Sequence, residues 1–160
     1  MPIDPDQFRD ALRLFASGVT IVSIRAGETR HGLTVAAFAS VSPDPPLVAA
    51  LIDRRHRGHA LLEEPGAVFA VNVLAEEHRE LSDRFAHAKD TERFALGRWS
   101  SAVTGAPVLE DALAWLDCRI HDRVSAGSHT IYIGEVQAAA TRPGARPLLY
   151  WNRDYRALGV

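Results

Sequence analysis

A cationic patch, Asp53-Arg54-Arg55-His56-Arg57-Gly58-His59, follows directly on the apolar run Leu47–Ile52. The apolar run has the composition of a strand buried on both faces. Arginines that begin a helical turn at the end of such a strand can hold a phosphate through charge-assisted hydrogen bonds. Solvated surface charge has the same composition, so the residues alone leave both interpretations open.

A second segment, Thr34-Val35-Ala36-Ala37-Phe38-Ala39-Ser40-Val41-Ser42, combines small and hydroxyl side chains. Small side chains let a flat ligand approach the backbone, whose N–H and C=O groups can then pair with its polar edge. A strand packed beneath a helix has the same composition, and this alternative also stays open.

A third segment, Gly127-Ser128-His129-Thr130, is typical of a hairpin turn, and Gly134-Glu135-Val136 follows along the same strand. A histidine at a hairpin turn is ordinarily just exposed to solvent. By itself this segment therefore predicts no function.

Several common chemistries find no support in the sequence. No GxGxxG, P-loop or GxSxG motif is present. Cys118 lies in a predicted strand with apolar neighbours on its face, which indicates a buried and inert thiol. His56 and His59 could share a metal on one helical face, but no acidic third ligand stands nearby, and we predict no metal site.

The composition predicts an ordinary globular protein. The chain has 160 residues, 47% hydrophobic and 24% charged, and a formal net charge of -2. This balance gives no basic excess for nucleic acid or anionic membranes. With a single cysteine, no signal-peptide pattern and no long apolar run, we expect a cytoplasmic protein.

Residue periodicity predicts the elements that carry these segments. Asp4-Pro5 is typical of a helix start, and apolar residues recur at helical spacing from Phe8 to Phe15, with an end near Gly18. The other predicted elements are, in chain order, strands over 19–24 and 32–38, a central strand over 47–52, a short helix within 54–64, a strand over 68–74, a surface helix over 76–88, a loop over 89–107 anchored by Phe94 and Trp99, a long hairpin from Leu113 to Val136, and a short strand over 148–151.

These elements amount to about six or seven strands and two or three helices. The strands are not separated one by one by helices, as they would be in a parallel sheet. The predicted fold is therefore mainly β, an antiparallel barrel of Greek-key type with a few helices, and residues 1–160 are expected to form a single domain.

In their order and spacing, these segments resemble the flavin reductase-like family, the FMN-binding split-barrel proteins that serve as reductase components of two-component monooxygenases. The resemblance covers nearly the whole chain. It rests on Phe15-Ala16-Ser17-Gly18-Val19-Thr20, Gly32-Leu33-Thr34, Ser40-Val41-Ser42, Pro45-Pro46-Leu47-Val48, Asn72-Val73-Leu74-Ala75, Asp83-Arg84-Phe85, Gly105, Pro107, Cys118, His129, Gly134-Glu135-Val136 and Pro147-Leu148.

The resemblance implies that the chain binds FMN or FAD. The flavin-binding residues that it implies are Thr34, Ala36, Ala37, Ser40, Val41 and Ser42 against the ring, with Asn72, Val73 and Phe85 nearby. It also places His129 on the nicotinamide side of the ring, where it would position NADH or NADPH and serve as the catalytic residue.

One departure from the family concerns the flavin phosphate. The family usually carries a Ser-x-Thr pair after the buried strand, whereas His56 and Gly58 stand at those positions here. The charged and polar residues left to hold the phosphate are Asp53, Arg54, Arg55, His56, Arg57 and His59. Arginine gives a stronger attraction than a hydroxyl but a less defined geometry.

The expected function is that of an NAD(P)H:flavin oxidoreductase, which transfers hydride to a flavin and supplies the reduced flavin to a partner monooxygenase. The resemblance also implies a homodimer. Two alternatives stay open at this stage: a flavoprotein that keeps its flavin and acts directly on an organic substrate, and a non-catalytic flavin-binding module.

Overall fold

The computed structural model describes residues 1–159. The first helix, α1, spans Pro5–Leu12, with the Asp6 N–H donating to Asp4 Oδ1 at 2.7 Å. The predicted helix start is therefore confirmed. The expected end near Gly18 is wrong, because residues from Ser17 onward pair as a strand instead.

The main sheet is antiparallel, and its seven strands are β2 Thr20–Ala26, β3 Thr29–Val35, β4 Phe38–Pro43, β5 Pro46–Asp53, β6 Val68–Val73, β9 Ala114–Ala126 and β10 His129–Thr141. Their order across the sheet is β3-β2-β6-β9-β10-β5-β4. The buried apolar run is confirmed as an interior strand, since β5 lies between β10 and β4.

The two edge strands of this sheet, β3 and β4, are consecutive in the chain and only Ala36 and Ala37 lie between them. A two-residue link cannot span a flat seven-stranded sheet, so the sheet must curl until its edges meet. Within residues 1–159 no hydrogen-bonded ladder joins β3 to β4, so the barrel is split between these two edge strands. We call the two linking residues, Ala36 and Ala37, the seam. The expected barrel is thus confirmed.

The single strand expected over 32–38 is wrong. The chain leaves the sheet after Val35, and the Phe38 N–H donates to Ala36 O at 3.0 Å in a tight turn. Alanine is a poor strand former, and the two alanines here form the seam instead of a continuous strand.

Short elements cover the barrel. The remaining strands are β1 Ser17–Gly18, β7 Trp99–Ser101, β8 Pro107–Leu109, β11 Leu149–Trp151 and β12 Asp154–Arg156, and the remaining helices are α2 Arg57–Leu62, α3 Arg79–His87 and α4 Asp90–Arg93, with a 3₁₀ turn over Glu76–His78. The expectation of a plain loop over 89–107 is wrong, since α4 and β7 lie there.

Apolar side chains fill both faces of the sheet. Inside the barrel, Ile24, Phe69 and Tyr132 are among the fully buried residues. Against the outer face, Phe85 packs with Phe94 and Trp99, so the expected anchors of the 89–107 segment are confirmed. No helix within the described chain is long and apolar enough to cross a membrane.

Candidate functional site

The topology of the sheet brings the three segments singled out in the sequence to one end of the barrel. The Leu51 N–H donates to Ala37 O at 3.1 Å, so the seam lies beside the last residues of β5. Two residues further, β5 ends at Asp53, which lies opposite His129 in the ladder with β10. The seam, the cationic patch and the hairpin histidine are therefore neighbours.

The seam exposes backbone. Ala36 and Ala37 are both exposed, and within residues 1–159 neither of their N–H groups donates to a backbone acceptor. Their side chains are methyl groups, so a flat molecule can reach these amides closely. This is the arrangement predicted from the small residues of the segment.

The hydroxyl residues around the seam differ in their hydrogen bonds and in their exposure. The Thr34 hydroxyl donates to Ser82 O at 2.7 Å and so ties β3 to α3. Ser40 and Val41 are exposed on the edge strand β4. Ser42 is half-buried and its hydroxyl accepts from the Asp44 N–H at 3.2 Å.

An open groove of about 540 Å³ lies against the seam. Its walls are largely apolar, and it is lined by Phe8, Arg9, Leu12, Arg13, Phe15, Ser17, Ala36, Ala37, Phe38, Tyr150 and Arg153. A smaller cavity of about 250 Å³ also borders Ala36 and shares Tyr150. Nothing in the sequence pattern pointed to α1 or to the C-terminal hairpin as walls of this groove.

One signal for the C-terminal hairpin was available in hindsight. Asn152 and Arg153 form the two-residue turn between β11 and β12 with φ angles of 50° and 63°. Non-glycine residues with positive φ are uncommon and asparagine is enriched among them. Asn152 within an aromatic run therefore indicates a tight hairpin turn.

The arginines of the cationic patch are held in two different ways. Arg55 forms a paired contact with Asp53, Nε to Oδ1 at 3.1 Å and NH2 to Oδ2 at 2.7 Å. These hydrogen bonds hold the pKa of the Asp53 carboxyl well below its usual range. Arg54 instead donates to the Ser125 hydroxyl at 2.8 Å, across the hairpin. Both guanidinium groups are exposed and can meet an anion from solvent.

The two histidines of the patch have structural partners. His56 caps α2, with its Nδ1 accepting from the Gly58 N–H at 3.1 Å. Burial lowers the pKa of His56, so the ring stays neutral and suited to this acceptor role. His59 Nε2 lies 2.9 Å from the Thr130 hydroxyl and links α2 to β10. No group of three or more metal-binding side chains is found in the part of the chain described here.

His129 begins β10 and is half-buried. Its Nδ1 lies 2.8 Å from the Ser128 hydroxyl, which fixes the orientation of the ring. Because Nδ1 is engaged, Nε2 is the atom left for a ligand.

Three residues implied as flavin contacts lie away from the seam. Asn72 is fully buried, donates to Ile21 O at 3.0 Å, and accepts from the Leu109 N–H at 2.8 Å. Phe85 is also fully buried, in the outer core. Val73 is half-buried on β6, two strands from the seam.

A buried polar cluster beneath α2 was not anticipated. His31 Nδ1 lies 3.3 Å from Asp90 Oδ1, and Asp90 also pairs with Arg57 of α2. Arg93 donates to Gly32 O at 2.6 Å. The cluster joins α2, α4 and β3, and so supports the helix that follows the patch.

The residues at the seam fit a flavin. The groove has a volume within the ~300–1,000 Å³ typical of small-molecule sites, and apolar walls suit a flat aromatic ring. The Ala36 and Ala37 N–H groups, which have no backbone acceptor, match the polar edge of such a ring. The exposed guanidinium groups of Arg54 and Arg55 follow the neighbouring strand β5, where they can bind a phosphate.

Comparison with known proteins agrees with this geometry. The flavin reductase like domain matches residues 12–159. The actinorhodin polyketide dimerase of Streptomyces coelicolor is 36% identical over 99% of this chain and 89% of its own length. The FMN reductase (NADH) RutF of Stutzerimonas stutzeri is 35% identical over 98% of this chain and 90% of its own length.

A solved structure has the same fold. BorF, the flavin reductase component of a bacterial two-component tryptophan halogenase, superposes with a TM-score of 0.88 at 32% identity, covering 97% of this chain and 98% of its own. Sequence and fold thus agree along almost the entire chain, and the chain belongs to the flavin reductase-like family.

Proposed function

We propose that this protein is an NADH-dependent flavin reductase that supplies reduced flavin to a partner enzyme. The observation that carries the proposal is the exposed seam Ala36–Ala37, which lies between an apolar groove and the arginine-bearing end of β5. Its relatives include an FMN reductase (NADH) and the flavin reductase component of a halogenase, and the protein is an oxidoreductase of this kind.

The chain carries no redox group of its own among its amino acids, so the chemistry needs a borrowed one. A bound flavin, FMN or FAD, supplies an acceptor for the hydride of a reduced nicotinamide. The residues that hold it are the backbone of Ala36 and Ala37, the edge strand through Ser40, Val41 and Ser42, and the exposed groups of Arg54 and Arg55.

The amides of the seam have an electrostatic role. Fixed N–H donors stabilise negative charge without reorganising, and the Ala36 and Ala37 amides would supply such donors to the polar edge of a bound flavin. The Ala36 and Ala37 N–H groups are held in place by the tight turn and by the bond from Leu51. The positions of these N–H groups are therefore fixed before the ligand binds.

His129 has a positioning and binding role. Hydride transfer between two bound molecules depends on holding them in a reactive orientation, and His129 would contribute by binding the nicotinamide. With Nδ1 engaged by Ser128, the Nε2 atom of His129 is available to the nicotinamide carboxamide. No acid, base or nucleophile is required.

The test is NADH oxidation by the purified protein with and without added flavin. We expect the rate to rise with the concentration of free FMN or FAD and to saturate. A rate that does not respond to added flavin, together with tightly retained yellow colour, would instead favour a flavoprotein acting on another substrate. A protein that binds FMN but never oxidises NADH would favour a binding module.

We also propose a homodimer that forms through α1. The helix buries none of its residues, and the apolar side chains of Phe8 and Leu12 on the helix and of Phe15 just beyond it are 55%, 50% and 75% exposed. Exposed apolar patches of this kind mark interaction surfaces. These residues also line the groove, so a second copy on α1 would flank the ligand.

Light scattering after gel filtration tests the dimer. The double change Phe8→Glu with Leu12→Glu should give a monomer, whereas Gln7→Glu on the same helix should leave the mass unchanged. A wild-type monomer would overturn this part of the proposal.

We further propose a cytoplasmic location, which a buried unpaired thiol at Cys118 supports.

A further inference from the structure

Two arginines face each other near the turn of the β2–β3 hairpin. Arg25 and Arg30 are directly opposite in the antiparallel ladder, and both are exposed. Like charges at directly opposite positions destabilise a strand pair. Most other arginines of this chain pair with an aspartate or a glutamate, but within residues 1–159 neither of these two lies within ion-pair distance of a carboxylate.

Local packing fixes both guanidinium groups. Arg25 Nε donates to Gly27 O at 3.0 Å. The opposite side of Arg25 lies against Gly105, where an added Cβ would stand 2.4 Å from NH1. Arg30 lies over the ring of Phe94, 4.6 Å from its centroid. Each guanidinium group is therefore held by its own protein contacts, and both residues line the same groove.

An open groove lies in front of them. Its volume is about 510 Å³, and it is lined by Arg25, Glu28, Arg30, Trp99, Ser100, Ser101, Gly105 and Pro107. Two guanidinium groups and two serine hydroxyls are hydrogen-bond donors, and Glu28 on the hairpin turn is the one acidic side chain of the lining. The net charge of the lining is positive.

This groove is distinct from the seam. Arg25 lies five residues along β2 from Thr20, which pairs with Val35 at the start of the seam. At about 3.4 Å per residue, the separation along the strand is about 17 Å. One ring cannot occupy both places.

We propose that this groove binds the phosphate group of a small phosphorylated ligand through Arg25 and Arg30. Two adjacent guanidinium groups match the double negative charge of a phosphate monoester, and arginine binds phosphate oxygens in paired, charge-assisted hydrogen bonds. The bound anion removes the repulsion between the two arginines. The remaining volume accepts the organic part of the ligand beside Trp99.

The experiment measures binding of inorganic phosphate to the full chain without flavin, by calorimetry. Sodium chloride at equal ionic strength serves as the control for simple screening of charge. The variants are Arg25→Gln and Arg30→Gln. Arg119→Gln is the matched control, because Arg119 is also exposed, lies on a strand of the same sheet and is outside the groove.

All the proteins compared carry Arg54→Ala with Arg55→Ala, so that the two arginines assigned to the flavin phosphate cannot bind the anion. On this background we expect saturable phosphate binding by the parent and by Arg119→Gln, with each groove variant weaker by about tenfold or more, since hydrogen bonds to charged groups are strong. Phosphate should also raise the melting temperature of the parent but not that of the groove variants. Without phosphate, Arg25→Gln should melt no lower than the parent, because a repulsion is removed.

Two results would overturn the site. One is phosphate binding that Arg25→Gln and Arg30→Gln leave unchanged. The other is an effect of phosphate that sodium chloride reproduces in full. Because no flavin or nicotinamide is present, neither result bears on the reductase activity proposed above.

Discussion

His129 lies directly opposite Asp53 where β10 pairs with β5, and Asp53 in turn holds Arg55. The histidine that we assign to the nicotinamide therefore lies across the ladder from the residue whose carboxylate holds the arginine that we assign to the flavin phosphate. Since the ladder fixes this spacing, the two ligands would be placed relative to each other by backbone hydrogen bonds.

Replacing His129 tests its role toward the nicotinamide. We expect His129→Ala to lower kcat/KM for NADH by about tenfold, the value of one lost hydrogen bond to a bound ligand, while the affinity for FMN stays within about twofold. Steady-state kinetics and a flavin titration measure the two quantities. His121→Ala, on the exposed part of the same hairpin, is the control. Equal loss in both variants would contradict the assignment.

The arginines of the patch are tested by comparing two flavins. Arg54→Ala with Arg55→Ala should weaken FMN by about tenfold or more, because charge-assisted hydrogen bonds to phosphate are lost. Riboflavin has no phosphate, so its affinity should hardly change. Fluorescence titrations give both dissociation constants. Equal weakening of both flavins would mean that the patch is only solvated charge.

Replacing Asn72 tests whether its side chain has a structural role or a flavin-binding role. Its side chain bonds to Ile21 O, to the Ser23 hydroxyl and to the Leu109 N–H, all in the core. Asn72→Ala removes these three buried hydrogen bonds and leaves the Leu109 N–H without its side-chain acceptor, and we expect a loss of about 2–3 kcal/mol in the free energy of unfolding. Urea denaturation measures this loss.

The same variant should keep its affinity for FMN within about twofold, because the Asn72 side chain does not reach the seam. A large loss of FMN affinity in protein that is still folded would instead support the flavin-binding role implied by the family resemblance. Ser40→Ala, at the exposed edge strand, is the matched change on the ligand side.

Acid should weaken the fold through His31. Burial lowers the pKa of His31 from 6.5 to about 4, in a cluster that also holds Asp90, Arg93 and His56. The unfolded chain binds the proton more readily, so the free energy of unfolding falls as the pH drops from about 6.5 to about 4 and is level above that window. The loss is up to about 3 kcal/mol for a shift of this size.

Denaturation midpoints across this pH range measure the slope. His31→Gln should reduce the slope and leave the contribution of His56, whose pKa burial also lowers, whereas His87→Gln, an exposed change, should leave the slope unchanged. The Asp90 carboxyl has a pKa below its ordinary value of 3.8, chiefly through its bond from Arg57 against the cost of burial, so it titrates below this window. An unchanged slope in His31→Gln would contradict the prediction.

The sequence predicted the elements whose periodicity is strong. The run Leu47–Ile52, the cap at Asp4 and the hairpin turn at Gly127 are local signals, and each is confirmed. It could not predict that α1 stops at Leu12, because apolar spacing continues to Phe15 whether or not the backbone remains helical. Nor could it predict the break at Ala36, since that break follows from the closure of a seven-stranded sheet.

Part of the candidate site could likewise be predicted from the sequence, and part could not. Residue types singled out the seam segment and the arginine patch without deciding their role, and only the family resemblance gave His129 a role. The topology places all of them near one end of the barrel. The groove wall formed by Phe8 and Arg153 was missed, because residues nearly 150 positions apart meet only in the folded chain. The polar cluster around His31 was missed for the same reason.

The two-residue link between β3 and β4 has a consequence for how this fold tolerates change in length. Side chains of a strand alternate between faces, so one residue inserted between Ala36 and Ala37 would turn β4 over, or shift its pairing with β5 by one position. Loops elsewhere can absorb such an insertion at small cost. Descendants of this chain should therefore vary freely in length at Gly144 or near Gly66 and keep the distance from Val35 to Phe38 constant.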